Sequence, residues 1–485
     1  MVTTPNQTET HKIAQPAKTA AFTNRLHTFL NPARSPWALG GLCGITAVLG
    51  GIIIAWGGPL AGAAVVVAAI AALIVLRDIE IGFWGVIGVV CLLPFATLPI
   101  DIGITPTFLD VALGATVGIW LLRIVTGNQR RIITAPITLP LLLFILVAIF
   151  AFIFGLANGH LTPTLLRKFA ELNLRLFFVI VVDEYCRNWD RLERLVKVVM
   201  LAGAAASAVA IGLWLLSEEL ANDLLNMLVR LGYPGGWVIR YIEENPALSE
   251  RAIGTSVDPN VLGGLLLMMG ALIGPQVVAK RPLFPRWLIL GMASLIFLGV
   301  VLTFSRGAML GLIVGLGFVA VARYRRLLPY MAVAGLLLLL LPISQEYVAR
   351  FVEGFQGQDL ATQMRFGEYR DAVPLITRYP AFGVGIAGAR DIDIYLGVAS
   401  VYLTIGQVMG VTGLVSFFAV MATIFGTAFL ANGRFRTNID RDPLWLGLHA
   451  ALLGGLAAGV FDHYLFNLDF HHAVTIFWLL VGLAA

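Results

Sequence analysis

Charge is scarce in this sequence. Only 13% of its 485 residues are Asp, Glu, Lys or Arg, where a soluble globular chain carries about 25%. With 59% hydrophobic residues and a mean hydropathy of +0.87, that scarcity excludes an ordinary soluble enzyme, a disordered chain and a fibrous repeat. Lysine is rarer still: the 33 basic residues comprise 28 Arg and 5 Lys. Cysteine is nearly absent. Cys43, Cys91 and Cys186 fit neither a disulfide framework nor a zinc-ligand spacing, and two of them sit in apolar runs as small core residues. The first 36 residues are polar with no apolar core, so they are not expected to be a secretory signal peptide. No fixed-period repeat is visible, which argues against a solenoid. Nor is there a matched pair of interrupted apolar segments of the kind that marks an inverted-repeat transporter.

What the sequence has in abundance is long apolar runs. A run of about 17–25 residues can cross a bilayer as a helix. About fourteen such runs are found, near 37–56, 60–76, 81–98, 108–126, 136–156, 169–184, 195–217, 257–278, 286–304, 306–322, 327–343, 400–430, 443–461 and 468–485. The expected fold is therefore an all-α, polytopic integral membrane protein with about 12–14 transmembrane helices. The sixth run is the least apolar, because Arg167, Lys168, Glu171 and Arg175 crowd its first half.

The basic residues assign an orientation. Lys12, Lys18, Arg25 and Arg34 precede the first span and favour a cytoplasmic N-terminus. Alternating from there puts 21 of the 33 basic residues on the inner side and leaves the short outer loops, 99–107 and 157–164, without Lys or Arg. Both termini are then cytoplasmic. The chain divides into a polar tail (1–36), N-terminal transmembrane helices (37–217), a first long outer loop (218–256), transmembrane helices with an Arg306 hairpin (257–343), a second long outer loop (344–399) and C-terminal transmembrane helices (400–485). Both outer loops have room for short helices. With Arg306 they hold nine Arg and no Lys. Long structured loops are usually functional, so the chemistry is sought on the outer face.

Five motifs stand there. Arg251 precedes Asp258-Pro259-Asn260, which leads into a span; Asp258 suits either a helix cap or a site role, and Arg251 suits bidentate contact with phosphate. Thr303-Phe304-Ser305-Arg306-Gly307-Ala308 joins two spans by a very tight turn. Arg306 there fits either a lipid headgroup or a functional role, since ionisable groups at membrane depth are expensive. In the second outer loop, Arg365 to Pro374 reads as a short amphipathic helix that Pro374 kinks or ends. Arg365 and Tyr369 share a face of it, whereas Arg365 and Arg370 do not. Phe382-Gly383-Val384-Gly385-Ile386-Ala387-Gly388 matches G-x-G-x-x-G only formally: it lacks a strand-turn-helix context, and its glycines suit a tight turn. Asp462-His463, with His471-His472 further on, suits an acid-base pair or a polar cap and matches no common metal motif.

These pieces together resemble the O-antigen ligase/polymerase superfamily of bacterial membrane proteins. The resemblance rests on Arg251…Asp258-Pro259-Asn260, on Thr303 to Ala308, and on Arg365…Tyr379-Pro380…Phe382-Gly383-Val384-Gly385. Tyr402-Leu403 and Met409-Gly410-Val411-Thr412-Gly413-Leu414 follow, so the likeness covers about residues 165–485. It implies a GT-C-like glycosyltransferase of the bacterial cytoplasmic membrane with its active face outside. The donor would be a polyprenyl-diphosphate-linked glycan and the acceptor a glycan, lipid or protein. Neither nucleotide sugar, metal nor other cofactor is implied, and no nucleic acid partner.

On that reading Arg251, Arg306 and Arg365 bind the diphosphate, and Asn260, Ser305, Tyr369 and Arg370 contact substrate. The sequence departs from the family at one place. The His-Asn pair common before the Tyr-Leu is matched here by Ala399 and Ser400, so the base falls to His463, Asp258 or Glu368. The alternatives are a polysaccharide or anion transporter or flippase, for which Arg175 and Glu171 are the relevant buried charges, and a catalytically silent relative.

Overall fold

The computed structural model describes residues 51, 77–98, 105–126, 135–157, 159–340, 348, 352–353, 356–357, 360–386 and 398–485. The expected tail and the first two expected spans lie outside the described residues, Gly51 apart. The chain divides into two compact units, residues 1–71 with 122–130, and residues 72–121 with 131–485. In the first, only Gly51 and residues 122–126 are described, the latter as the end of a helix. All other described residues belong to the second unit.

Fourteen α-helices are described. They are α1 (Ile79–Leu92), α2 (Phe108–Val125), α3 (Thr138–Gly155), α4 (Pro163–Cys186), α5 (Trp189–Trp214), α6 (Glu218–Asn226) and α7 (Pro259–Val278). After them come α8 (Arg286–Leu302), α9 (Arg306–Ala322), α10 (Leu328–Leu340), α11 (Leu360–Arg378), α12 (Val401–Arg436), α13 (Asp442–Ala458) and α14 (His471–Ala484). Each of the other twelve expected spans coincides with one of these helices. By length and composition α2, α3, α5, α7 and α12 suffice to cross a membrane, and α1, α8, α9 and the segment Leu468–Ala484 are apolar but shorter. The chain is an all-α polytopic membrane protein.

Local signals set the helix starts. Thr162, Asn188, Asp258 and Ser305 each accept a backbone N–H from the first turn of α4, α5, α7 and α9, and so satisfy donors that the helix cannot. Pro163 and Pro259 occupy first-turn positions where no N–H is needed. The apolar residues then sort by face. On α3, Leu139, Leu142, Leu143, Leu146, Phe150, Ile153 and Phe154 are exposed at the three- and four-residue spacing of one helix face. Leu141, Phe144, Ala148 and Phe152 are buried on the other. An exposed face of that composition suits lipid rather than water.

At the centre α7, buried along most of its length, packs against α9 and α13. Glycine brings α9 and α13 close to each other as well. A Cβ at Gly311 would stand 2.6 Å from the Gly454 carbonyl oxygen, and one at Gly315 would stand 2.8 Å from that of Ala450. Membrane helices pack closely through such small residues, because apolar burial drives nothing in lipid.

The charges in the sixth span find partners inside the protein. Fully buried Arg175 donates to Glu171 at 2.7 Å and to Thr475 on α14 at 3.1 Å. Glu171 is shared with Arg167, which reaches Asp110 of α2 at 3.3 Å. The network ties α2, α4 and α14 together. Removing one partner from a buried pair leaves an uncompensated charge. Arg175→Met is therefore expected to cost about 3–5 kcal/mol, and Arg175→Met with Glu171→Leu to recover most of it. Thermal or denaturant unfolding of the purified protein in detergent measures both.

Three local features differ from expectation. Pro374 does not end its helix: α11 runs through it to Arg378. The segment between α5 and α7 holds a two-stranded antiparallel ribbon, β1 (Arg240–Tyr241) with β2 (Glu250–Arg251), beside α6. The third is a break in α12 at Gly410, with φ 69° and ψ −170°. There the backbone N–H of Val384 reaches Gln407 O and that of Val411 reaches Pro380 O, so the turn after α11 supplies and takes the hydrogen bonds the broken helix lacks. Gly383 and Gly385 in that turn have φ of 66° and 93°, as their tight-turn reading requires.

Candidate active site

The site forms where the starts of α7, α9 and α12 meet the end of α13 and the flank of α11. Its first anchor is Arg251, the last residue of β2. Its Nε donates to the Thr303 carbonyl at 2.9 Å and its Nη2 to Asn260 Oδ1 at 2.8 Å. One guanidinium thereby joins the loop before α7, the α8–α9 turn and the first turn of α7. The adjacent Ala252 N–H donates to the Leu302 carbonyl at 2.8 Å, which fixes the same two segments a second time.

Both helix starts are strained. Val257 has φ 61° and Phe304 has φ 52°, a left-handed region that costs a non-glycine residue about 1–3 kcal/mol. Each stands directly before a capping residue. Asp258 Oδ1 accepts the N–H groups of Asn260 and Val261 at 2.8 and 2.9 Å, and Ser305 Oγ accepts that of Ala308 at 3.4 Å. The sharp turns bring Arg306 out as the first residue of α9. Its Nη2 lies 3.5 Å from Thr362 Oγ1, three residues before Arg365 and so on the same side of α11. The neighbouring Gly307 faces Ala458 and Phe461 at the end of α13.

Helix α11 docks through two side chains. Glu368 Oε2 accepts the Ala399 N–H at 2.8 Å. The Tyr369 hydroxyl lies 2.9 and 3.0 Å from the carbonyl oxygens of Ala399 and Val460. Ala399 is thus held through its backbone on both sides. The Val401 N–H faces the Asp462 carbonyl at 3.1 Å, which sets the start of α12 against the loop after α13. In that loop Asp462 Oδ1 accepts the His463 N–H at 2.8 Å and lies 3.4 Å from His463 Nδ1. His463 Nε2 is 2.8 Å from Asn467 Nδ2. Tyr464, fully buried, packs against Gly264 of α7.

Electrostatics couples these groups. Burial alone would lower the pKa of His463, but the Asp462 carboxylate 3.4 Å from Nδ1, with the charges of Glu368 and Asp258, outweighs it and raises it above its ordinary value. Burial raises the pKa of Asp258 against its two backbone N–H donors; Asp462 pushes it further up and Arg251 pulls it down. Tyr369 is raised by burial and feels Arg365, Asp462 and Glu368 in turn. Arg365 therefore shares the site, its charge acting on Tyr369 and Tyr464. Next to Arg251, the Glu250 carboxyl is pushed up to about 7 by burial and by Glu218.

Most of the residues singled out in the sequence meet here: Arg251, Asp258, Asn260, Ser305, Arg306, Arg365, Glu368, Tyr369, Asp462 and His463. Their roles differ from one another. Ser305 is buried and its hydroxyl caps α9. Asn260 accepts from Arg251 and orients it. Arg370 is exposed, and its place in α11, five residues beyond Arg365, turns it off the face that Arg365 and Tyr369 share. His471 and His472 are buried and meet Phe95 edge to face, with His471 Nε2 on the Pro94 carbonyl. Asn467 joins the site without having stood out in the sequence. Its signal was the four-residue spacing from His463, which is informative only once the segment is known to coil.

The arrangement can do two things chemically. Arg251, Arg306 and Arg365 offer planar, permanently charged donors suited to a diphosphate. His463, with a carboxylate beside one ring nitrogen, has the elements of a proton acceptor. A comparison with curated proteins finds no match. Residues 291–418, from within α8 to the middle of α12, match the family model described as O-Antigen ligase. Arg306, Arg365, Glu368 and Tyr369 lie inside that match, and Arg251, Asp258 and His463 lie outside it. The match over that segment supports the O-antigen ligase/polymerase superfamily.

Proposed function

We propose that this protein is a glycosyltransferase of the O-antigen ligase/polymerase type. It transfers or polymerises a polyprenyl-diphosphate-linked glycan on the outer face of the bacterial cytoplasmic membrane, in surface polysaccharide biosynthesis. The observation that carries this reading is the meeting of three Arg from separate segments, Arg251, Arg306 and Arg365, with the Asp462–His463 pair.

In the reaction an acceptor hydroxyl oxygen bonds to the anomeric carbon. The bond from that carbon to the diphosphate oxygen breaks, and its electron pair leaves with polyprenyl diphosphate. Negative charge grows on the leaving oxygens, and fixed guanidinium groups in a partly dry site stabilise it. Arg stays charged when partly desolvated, and Lys does not do so as reliably. The hydroxyl proton passes to His463. Glu368 and Asp258 sit near enough to raise the basicity of His463, and both are engaged by backbone N–H groups. That supports His463 over either carboxylate as the base. The buried Arg175–Glu171 pair, which a transporter reading would draw on, is neutralised by its own partners between α2, α4 and α14. This supports a structural tie rather than a moving charge.

The test is the glycan profile of a deletion strain. A ligase predicts unattached lipid-linked polymer, and a polymerase predicts single repeat units on the lipid or the acceptor. An unchanged profile sinks both.

A further inference from the structure

Asn467 decides which nitrogen of His463 accepts a proton. Its own orientation is set from the far side, where Oδ1 accepts the Asp469 N–H at 2.9 Å and caps the short 3-10 turn Leu468–Phe470. An amide has one acceptor end and one donor end. With Oδ1 committed to the cap, Nδ2 is the end that faces His463, at 2.8 Å from Nε2. A donor there requires a lone pair on Nε2, so the ring proton resides on Nδ1. Nδ1 in turn faces Asp462 Oδ1 at 3.4 Å. The same carboxylate oxygen accepts the His463 backbone N–H at 2.8 Å, which keeps it in place.

We infer that Asn467 is a positioning residue that holds His463 as the Nδ1–H tautomer and so designates Nε2 as the atom that takes the acceptor's proton. This deepens the proposed function and rests on the role given to His463 there. The incoming hydroxyl replaces the Asn467 N–H as the donor to Nε2. Its proton then moves onto Nε2 as its oxygen bonds to the anomeric carbon. The resulting Nε2–H would meet another N–H donor if Asn467 stayed in place, so Asn467 opposes charging of the ring in the resting site. The surrounding groups act the other way. Asp462 in the same loop, Glu368 on α11 and Asp258 before α7 all favour the charged ring. Arg251 on β2 acts on Asp258, and Arg365 on α11 acts on Tyr369 and Tyr464. Asn467 thus offsets a carboxylate surplus that would otherwise keep the base protonated.

The decisive variant is Asn467→Asp. It keeps the size and the oxygen that caps Asp469, and it exchanges the donor facing Nε2 for an acceptor. The full-length protein in nanodiscs, with 15N-labelled histidine, gives ring nitrogen shifts, and loss of signal in His463→Ala assigns those of His463. In the parent protein at alkaline pH, Nδ1 should read as protonated and Nε2 as bare. In Asn467→Asp the ring should stay doubly protonated to higher pH. The acidic limb of glycan transfer from a polyprenyl-diphosphate donor should then move up by about 1 pH unit or more, with the donor KM little changed. Asn467→Ala, which removes donor and cap together, should yield a mixture of tautomers. Parent-like ring shifts and an unmoved pH limb in Asn467→Asp, in a variant with parent-like thermal unfolding, overturn the inference. Altered ring shifts alongside full transfer by His463→Ala overturn the base role and leave the tautomer assignment standing.

Discussion

Replacing Arg306 with Ala is expected to cut glycan transfer about 10²–10³-fold, the usual cost of deleting one fixed donor aimed at developing charge. The loss should fall on kcat, with the KM for donor rising less. An interaction made fully only in the transition state lowers kcat and kcat/KM together. Arg306 is the first residue of α9, presented by a turn that holds Phe304 at positive φ and Ser305 as cap. Its backbone contacts do not depend on the side chain, so Arg306→Ala should fold normally. Arg306→Lys keeps the charge and loses the planar two-oxygen contact. Its activity should lie between the parent and Arg306→Ala. The measurement is transfer from a polyprenyl-diphosphate-linked glycan by the reconstituted protein. Full activity in both variants would remove Arg306 from the leaving-group role.

Replacing His463 with Ala is expected to lower transfer about 10²–10⁴-fold, the range a positioned general base supplies. The pH profile gives the sharper test. His463 works when unprotonated, and its pKa is raised above the ordinary 6.5. Activity should therefore rise with pH along a limb centred above that value. Glu368→Gln removes one of the carboxylates that raise it, while a neutral oxygen can still accept the Ala399 N–H. A lower His463 pKa frees the base at lower pH, so the limb moves toward acid. A limb that stays in place in Glu368→Gln, or turnover unchanged in His463→Ala, excludes His463 as the group that titrates.

Much of this site was legible because its residues act locally. Asp258 before Pro259 reads as a helix start and caps one; Ser305, expected to contact substrate, caps another. Arg365 and Tyr369, four apart, share a face whatever the helix packs against. Gly383 and Gly385 read as a turn and adopt the backbone that only glycine takes readily. The spans were legible for the same reason: apolar runs of bilayer length have one low-energy answer in lipid, a helix with its backbone satisfied internally. The ends were less so. Pro374 reads as either a kink or a stop because a proline removes a backbone donor, and α11 passes through it.

The sequence by itself determined an all-α membrane fold, some of its helix starts, and a concentration of Arg in the two long segments between apolar runs. Those follow from composition, periodicity and caps, which depend on neighbours along the chain. Only the tertiary structure decided what the residues do together. Arg251 meets the Thr303 carbonyl across 52 positions and Glu368 meets the Ala399 N–H across 31. Arg175 finds Thr475 across 300. The break at Gly410 exists because the turn after α11 is there to take its hydrogen bonds. The loop after α13 lies against the start of α12, where the Val401 N–H faces the Asp462 carbonyl next to His463. Such meetings are set by the close packing of α7, α9 and α13 through glycine and by buried polar groups that must find partners, and neither condition can be evaluated one segment at a time.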